Sequence, residues 1–241
     1  MMKIVVCDFD ETLYENGTIA QKDKDAIAAF TEAGNKFGVV SGRSYSSALD
    51  ALRWAKFYPD FLICCSGGVI STAKGTLRAF HANGSVLPAL FDLIKPYAPA
   101  FFFVTDGLYE YHADLSGYTR NEFSRMFSFT QCSAELKNEA DAEKFCQDVR
   151  FLHGCRVTAY RSGKIVNIVP SEVNKLQGIA IYREHIGENY PVYTIGDSER
   201  DIPMLKTYHG FAVKSASDAV KRAAEKSFAC VADALNYIGK Q

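Results

Sequence analysis

Short apolar runs alternate with stretches of helical spacing at the start of the chain. Residues 3–7 (KIVVC), 36–40 (KFGVV) and 61–65 (FLICC) are nearly continuous apolar runs, the pattern of strands covered on both faces. Between them, DAIAAFTEAG has the spacing of a helix ending at Gly34, and SYSSALDALRWAKF follows Ser44 with residues that cap helix starts. The order is β-α-β-α-β, and right-handed crossovers make such a sheet parallel. The rhythm returns late: a helix from about Lys175 to Ile186 stopped by Gly187, strands at PVYTIG and GFAV, a helix at ASDAVKRAAEK, then a last strand and helix.

The middle differs. From about Ser71 to Val169 the chain reads as hairpins separated by two helical stretches. These are VISTAKGTLRAF turning at Lys74-Gly75, FFFVTDGLYEYHA turning at Asp106-Gly107, and RVTAYRSGKIVNIV turning at Ser162-Gly163. Such turns between alternating segments imply antiparallel pairing. The expected fold is α/β: a Rossmann-like parallel-sheet core from residues 1–75 and 170–241, interrupted by an α+β domain at 76–169.

Composition narrows the partners. With 48% hydrophobic residues, 23% charged residues and a formal net charge of −1, the chain has neither the basic balance expected of a nucleic-acid binder nor that of a protein drawn to anionic membranes. No run approaches the ~20 apolar residues of a spanning helix. The stretch MMKIVVC is too short for a signal-peptide core and is closed by Asp8 and Asp10. Seven scattered cysteines without a CxxC pair suit a reducing compartment, so a cytoplasmic location is expected. The five histidines show no paired ligand spacing, and none is nominated as a ligand.

The chemistry gathers where open parallel sheets bind ligands, outside the carboxyl ends of the strands. Asp8 and Asp10 follow the first strand, Ser41-Gly42-Arg43 the second, and Gly196-Asp197 through Asp201 a late one. Any one cluster would pass as ordinary loop, since Asp favours turns and Ser favours helix starts. Grouped carboxylates repel unless a cation sits among them, and hard oxygen ligands select magnesium, which also takes substrate phosphate oxygens. The hydroxyls of Thr12 and Ser41, N–H groups entering a helix, and the ammonium of Lys175 are candidate phosphate donors. GVVSGRS lacks the GxxxxGK[ST] spacing of a nucleotide loop.

DFDETL at 8–13, the strand ending in Ser41-Gly42-Arg43, Lys175 with Gly178, and GDSERDIPML at 196–205 together resemble the four ordered motifs of the haloacid dehalogenase-like superfamily. The likeness is to its Cof-type sugar-phosphatase branch, whose α+β cap lies between the second and third motifs. The resemblance implies a hydrolase of phosphoric monoesters, acting on a small phosphorylated metabolite such as a sugar phosphate. Asp8 would be the nucleophile and a magnesium ligand. Asp10 would be the acid and base, ligating the metal through its backbone carbonyl. Thr12, Ser41, the N–H of Gly42 and Lys175 would hold phosphoryl oxygens; Asp197 would bind the metal, and Asp201 would support it from behind.

Three departures stand out. Glu11 occupies a position where glycine is frequent, Arg200 replaces an asparagine, and Ser66-Gly67-Gly68 stands where relatives have Asn-Gly-Ala facing substrate. Ser66, Gly67 and Arg200 are therefore candidate substrate contacts, with Arg200 expected to reach the phosphate or to pair with Glu199 or Asp201; Arg43 is read equally as a substrate contact or as the structural partner of an acidic residue. The insert's aromatics, among them Phe101, Phe102, Phe103, Tyr118 and Phe123, read mostly as core. Two other functions stay open: a phosphotransferase or mutase using the same intermediate, and a binding module for phosphorylated ligands without turnover.

Overall fold

The computed structural model describes residues 1–112, 126–152, 155–187 and 189–241; Tyr118, Phe123 and His153 lie outside them. Strand β1 (Ile4–Asp8) is buried along its whole length, as its unbroken apolar run requires. It pairs in parallel with β2 (Lys36–Val40) on one side and β13 (Val192–Gly196) on the other. Parallel pairing continues outward to β3 (Phe61–Cys64), β14 (His209–Val213) and β15 (Lys226–Phe228). The carboxyl ends of β1, β2 and β13 therefore lie side by side, which brings the three polar clusters to one edge.

Helices cover both faces. Ile27 of α1 (Gln21–Glu32), Leu52 of α2 (Tyr45–Trp54) and Leu235 of α8 (Val231–Gly239) share one core with Val5 and Val39. On the opposite face, Ile179 and Tyr182 of α5 (Lys175–Ile186), Met204 of α6 (Ile202–Thr207) and Val220 of α7 (Asp218–Ala223) pack against Val6 and Ile63. The alternation of strand and helix thus becomes a three-layered α/β core.

One sequence expectation needs correction. The hairpin turning near Lys74-Gly75 does not open the insert. Its strands β4 (Val69–Thr72) and β5 (Gly75–Ala79) extend the large sheet antiparallel from β3, giving eight strands in the order β15-β14-β13-β1-β2-β3-β4-β5. The cause is the single tight turn at Cys65–Gly67, which reverses the chain and lays the buried Val69 and Ile70 beside Cys64 and Ile63.

The insert has its own core. Strand β6 (Ala82–Asn83) pairs with β9 (Ser128–Phe129). A five-stranded antiparallel sheet runs β11 (Val157–Ser162), β12 (Ile165–Pro170), β10 (Gln131–Glu135), β7 (Phe101–Thr105), β8 (Glu110–His112). Helices α3 (Leu87–Ile94) and α4 (Glu139–Arg150) cover one face, where Leu90 and Phe145 meet Phe102, Val104, Cys132, Ala134, Val166 and Ile168. Strand alternation turns the odd-numbered partners the other way: Phe101, Phe103, Gln131, Ser133, Ile165 and Asn167 line a cleft against the large sheet. Among the described residues no helix is long and apolar enough to cross a membrane.

Candidate active site

The cleft encloses about 450 Å³ between the carboxyl edge of the large sheet and the open face of the insert. Asp8 and Asp10 line it from the end of β1, Gly42 and Arg43 from the end of β2, and Asp197, Ser198 and Arg200 from the loop after β13. A larger cleft of about 770 Å³ lies elsewhere, beside Lys24, Phe37, Tyr58, Lys74 and Tyr182, and contains none of the clustered aspartates.

Lys175 is the hub. It begins α5, where the side chain of Asn174 caps the helix by accepting from the N–H of Gln177. Its ammonium is buried and donates to Asp8 Oδ1 and to Asp201 Oδ1, each at 2.6 Å. Burial alone would pull the ammonium down, but Asp201 and Asp8 outweigh it and hold Lys175 above its ordinary value. For Asp8, burial leads and the charge of Asp201 adds to it, so the carboxyl is pushed up to about 8 against the pull of Lys175. Asp201 goes the other way: burial would raise it, yet Lys175 and the Ser198 donors bring it below the usual carboxylate range.

Asp8, Asp197 and Asp201 each offer a carboxylate oxygen within 4.8 Å of the others, the arrangement a divalent cation relieves. Their remaining capacity differs. Asp201 already accepts from the N–H groups of Asp197 and Ser198 and from Ser198 Oγ at Oδ2, and from Lys175 Nζ at Oδ1, so most of its accepting capacity is taken. Asp197 accepts from the Thr12 hydroxyl at 2.6 Å, so Asp8 and Asp197 keep lone pairs for a metal. All-oxygen donors of this kind fit magnesium. Thr12 itself does not line the cleft; its hydroxyl is committed to Asp197.

Asp10 lines the same cleft but is not part of that cluster. Arg43 grips its carboxylate, with Nε 3.1 Å from both oxygens and Nη2 2.7 Å from Oδ1. The guanidinium lies over the rings of Phe9 and Tyr14 at 5.5 and 5.4 Å, which fixes its plane. Ser41 Oγ accepts from the Arg43 N–H at 3.0 Å and approaches Asp10 Oδ2 at 3.5 Å.

The three departures resolve differently. Glu11 adopts a left-handed φ of +62°, a conformation natural to glycine, and its side chain is exposed at the cleft mouth. Gly67, expected among substrate contacts, instead packs under α5: a side-chain carbon there would stand 2.1 Å from the Asn174 carbonyl oxygen. Arg200 pairs with neither Glu199 nor Asp201; its Nη1 is buried without a hydrogen-bond partner among the described residues. Ser66, also left-handed at φ +58°, is buried and its Oγ is likewise unpartnered.

The sequence reading missed three polar residues. Gln131 Nε2 and Asn167 Nδ2 reach across from the insert to the carbonyl of Gly42, at 3.1 and 3.2 Å, and Ser133 Oγ ties the two amides together. The available signal was alternation: Gln131 and Ser133 interleave with Cys132 and Ala134, and Asn167 sits between Val166 and Ile168. Ser44 also bonds the insert, through Glu110.

The family described as haloacid dehalogenase-like hydrolase matches residues 5–234. No curated protein matches the chain. Among solved structures, a haloacid dehalogenase-like hydrolase from Bacteroides thetaiotaomicron is 21% identical, with 99% of this chain and 100% of that one covered and a TM-score of 0.79. A haloacid dehalogenase-like hydrolase from B. subtilis is 16% identical, with 98% and 100% covered and a TM-score of 0.82. The HAD subclass IIB sugar phosphatase BT4131 is 16% identical, with 99% of both chains covered and a TM-score of 0.77. At these identities the likeness is one of fold.

Proposed function

The chain belongs to the haloacid dehalogenase-like hydrolase family, and from that premise we propose that it is a magnesium-dependent phosphatase hydrolysing a small phosphorylated metabolite through an aspartyl phosphate on Asp8. The observation that carries this reading is the buried set around Lys175: one ammonium 2.6 Å from both Asp8 and Asp201, with Asp197 beside them on the same sheet edge. A sugar phosphate is the favoured substrate class, in keeping with the sugar phosphatase BT4131 on the same fold. A cytoplasmic enzyme whose insert, from β6 to β12 (residues 82–170), acts as a substrate-selecting cap completes the proposal.

Asp8 and Asp197, with the backbone carbonyl of Asp10, would hold the magnesium ion. Bound there, the ion neutralises phosphoryl charge and favours the ionised form of Asp8. Ser41, the N–H of Gly42 and Lys175 orient the phosphoryl group, and Thr12 steadies Asp197. An oxygen of Asp8 attacks phosphorus in line, the ester P–O bond breaks, and the leaving alcohol takes its proton from Asp10. Asp10, held by Arg43, then accepts a proton from the water that attacks phosphorus, and the Asp8–phosphorus bond breaks to release phosphate.

The test is phosphate release from p-nitrophenyl phosphate with and without magnesium, comparing the wild type with Asp8→Asn. Magnesium-dependent release that disappears in the variant upholds the mechanism. Release that survives in Asp8→Asn overturns it. Tight binding of a phosphorylated metabolite with no turnover would favour a binding module instead, and transfer to an added alcohol would favour a phosphotransferase.

A further inference from the structure

The cleft of about 770 Å³ lies at the edge of the large sheet opposite the catalytic one, where β2 and β3 begin and the β4–β5 turn folds back. Its size suits a small-molecule ligand. Four ammonium groups line it, those of Lys24, Lys36, Lys56 and Lys74, against one carboxylate among the described residues, Asp60. That carboxylate is engaged at both oxygens: Oδ1 accepts from Lys36 Nζ at 2.7 Å and Oδ2 from the Phe37 N–H at 2.9 Å. Helices α1, α2 and α5 also end around the cleft, and each C-terminus carries roughly half a negative charge. Lys24 answers one of them by donating to the Ala55 carbonyl at the end of α2. A positive surplus remains. It falls on Lys56 and Lys74, whose ammonium groups have no partner among the described residues.

Lys56 stands there against its local preference. The N–H of Phe57 bonds to the Leu52 carbonyl and that of Lys56 to the Arg53 carbonyl, each at 3.0 Å, so α2 ends in a Schellman turn with Lys56 at its left-handed position, φ +51°. Helices α1 and α5 close with glycine instead, Gly34 and Gly187, at φ +84° and +103°. Of the three, only α2 carries a side chain at a position that crowds one.

Aromatic surface completes the cleft. Phe37 and Phe57 meet edge to face with centroids 6.1 Å apart, Tyr182 stacks on Phe61 at 3.5 Å, and Tyr58, on the same lining, is 77% exposed. We propose that this cleft is a second ligand site, separate from the catalytic one, for a small flat metabolite bearing a strong acid group such as a carboxylate, sulfonate or phosphate. The acid group meets the unpaired ammonium groups of Lys56 and Lys74, and the ring lies against the aromatic wall. The site goes beyond the phosphatase reading and does not depend on it.

The probe is 1-anilinonaphthalene-8-sulfonate, a flat aromatic anion whose fluorescence rises when it leaves water; its titration needs no turnover. It should bind the wild type saturably. The double variant Lys56→Gly/Lys74→Met should weaken binding roughly five- to tenfold, the worth of two solvent-screened ion pairs. Because glycine suits the left-handed turn, the same variant should unfold no earlier than the wild type, which separates loss of a ligand contact from loss of structure. Ala28→Trp, at an exposed position of α1 on the cleft lining, should block the cleft without altering charge and weaken binding roughly tenfold or more. Arg43→Met, in the catalytic cleft, should leave it unchanged. Wild-type binding that does not saturate, or affinity within twofold of the wild type in either the lysine variant or Ala28→Trp, would overturn the site. Loss of binding in Arg43→Met would put the probe in the catalytic cleft and overturn it as well. If Ala28→Trp does not fold, the lysine variant decides alone.

Discussion

Lys175 stands 2.6 Å from Asp8 although the two are separated by 167 residues, and both side chains are more than nine-tenths buried. Removing one partner of a buried ionic group strands the others in a poorly solvating interior. Lys175→Met should therefore cost about 3–5 kcal/mol of stability at pH 8, measured by urea unfolding. The penalty should shrink toward pH 5, where Asp8, pushed up to about 8, carries a proton. An equal loss at both pH values would show that the lysine contributes through Asp201, which stays ionised across this range, or by packing, and not through Asp8.

The raised Asp8 also sets a slope for the whole protein. Between the ordinary carboxylate pKa of 3.8 and about 8, the folded state binds more protons than the unfolded chain, so stability falls as pH rises across that window. In chelating buffer, the melting temperature of the wild type should drop relative to Asp8→Asn from pH 5 to pH 8. A constant difference across those conditions would contradict the assignment. Magnesium should lift the wild type most at the upper end, because binding there displaces fewer protons.

Arg43 and Asp10 are linked by a pair that is 31% and 45% exposed at the side chains. Such pairs contribute at most about 1 kcal/mol, so Arg43→Met should barely alter unfolding. Its effect belongs to turnover: freed from the guanidinium, Asp10 loses its fixed orientation, and kcat should fall at least about tenfold while KM changes little. A loss confined to KM would make Arg43 a substrate-binding group instead.

Glu11 offers a prediction of the opposite sign. At φ +62° it occupies a conformation that costs a non-glycine residue roughly 1–2 kcal/mol. Glu11→Gly should recover about 1 kcal/mol of that, less the chain entropy glycine adds to the unfolded state. Removing a carboxylate from the cleft mouth should also speed capture of an anionic substrate at low ionic strength, an advantage that salt abolishes. Reduced thermal stability in the variant would argue against the backbone account.

The parallel core was legible because β1, β2 and β3 are apolar at nearly every position, and strands buried on two faces have few alternatives. Asp8, Asp10, Ser41 and Asp197 could be nominated for the same reason, since the ends of such strands must adjoin. Placement of the β4–β5 hairpin was not legible: Lys74-Gly75 announces a turn but not which sheet its strands join. Gly67 shows a related limit, because a glycine that permits a turn and one that lets a helix approach read alike. Gln131, Ser133 and Asn167 were hidden by ambiguity of face. Polar residues at every second strand position ordinarily mark solvent, and only the packing of the insert over the large sheet turns them into a cleft wall.

A single peptide group joins that wall to the reacting edge. Its carbonyl, from Gly42, accepts from Gln131 and Asn167, and its N–H, from Arg43, donates to the Ser41 hydroxyl that faces Asp10. Hydrogen bonds in series strengthen one another, so donation from the insert makes the Arg43 N–H a better donor and the Ser41 hydroxyl more acidic. With the insert seated as it is, contacts made on one side of this amide plane are felt as electrical polarity at Asp10 on the other.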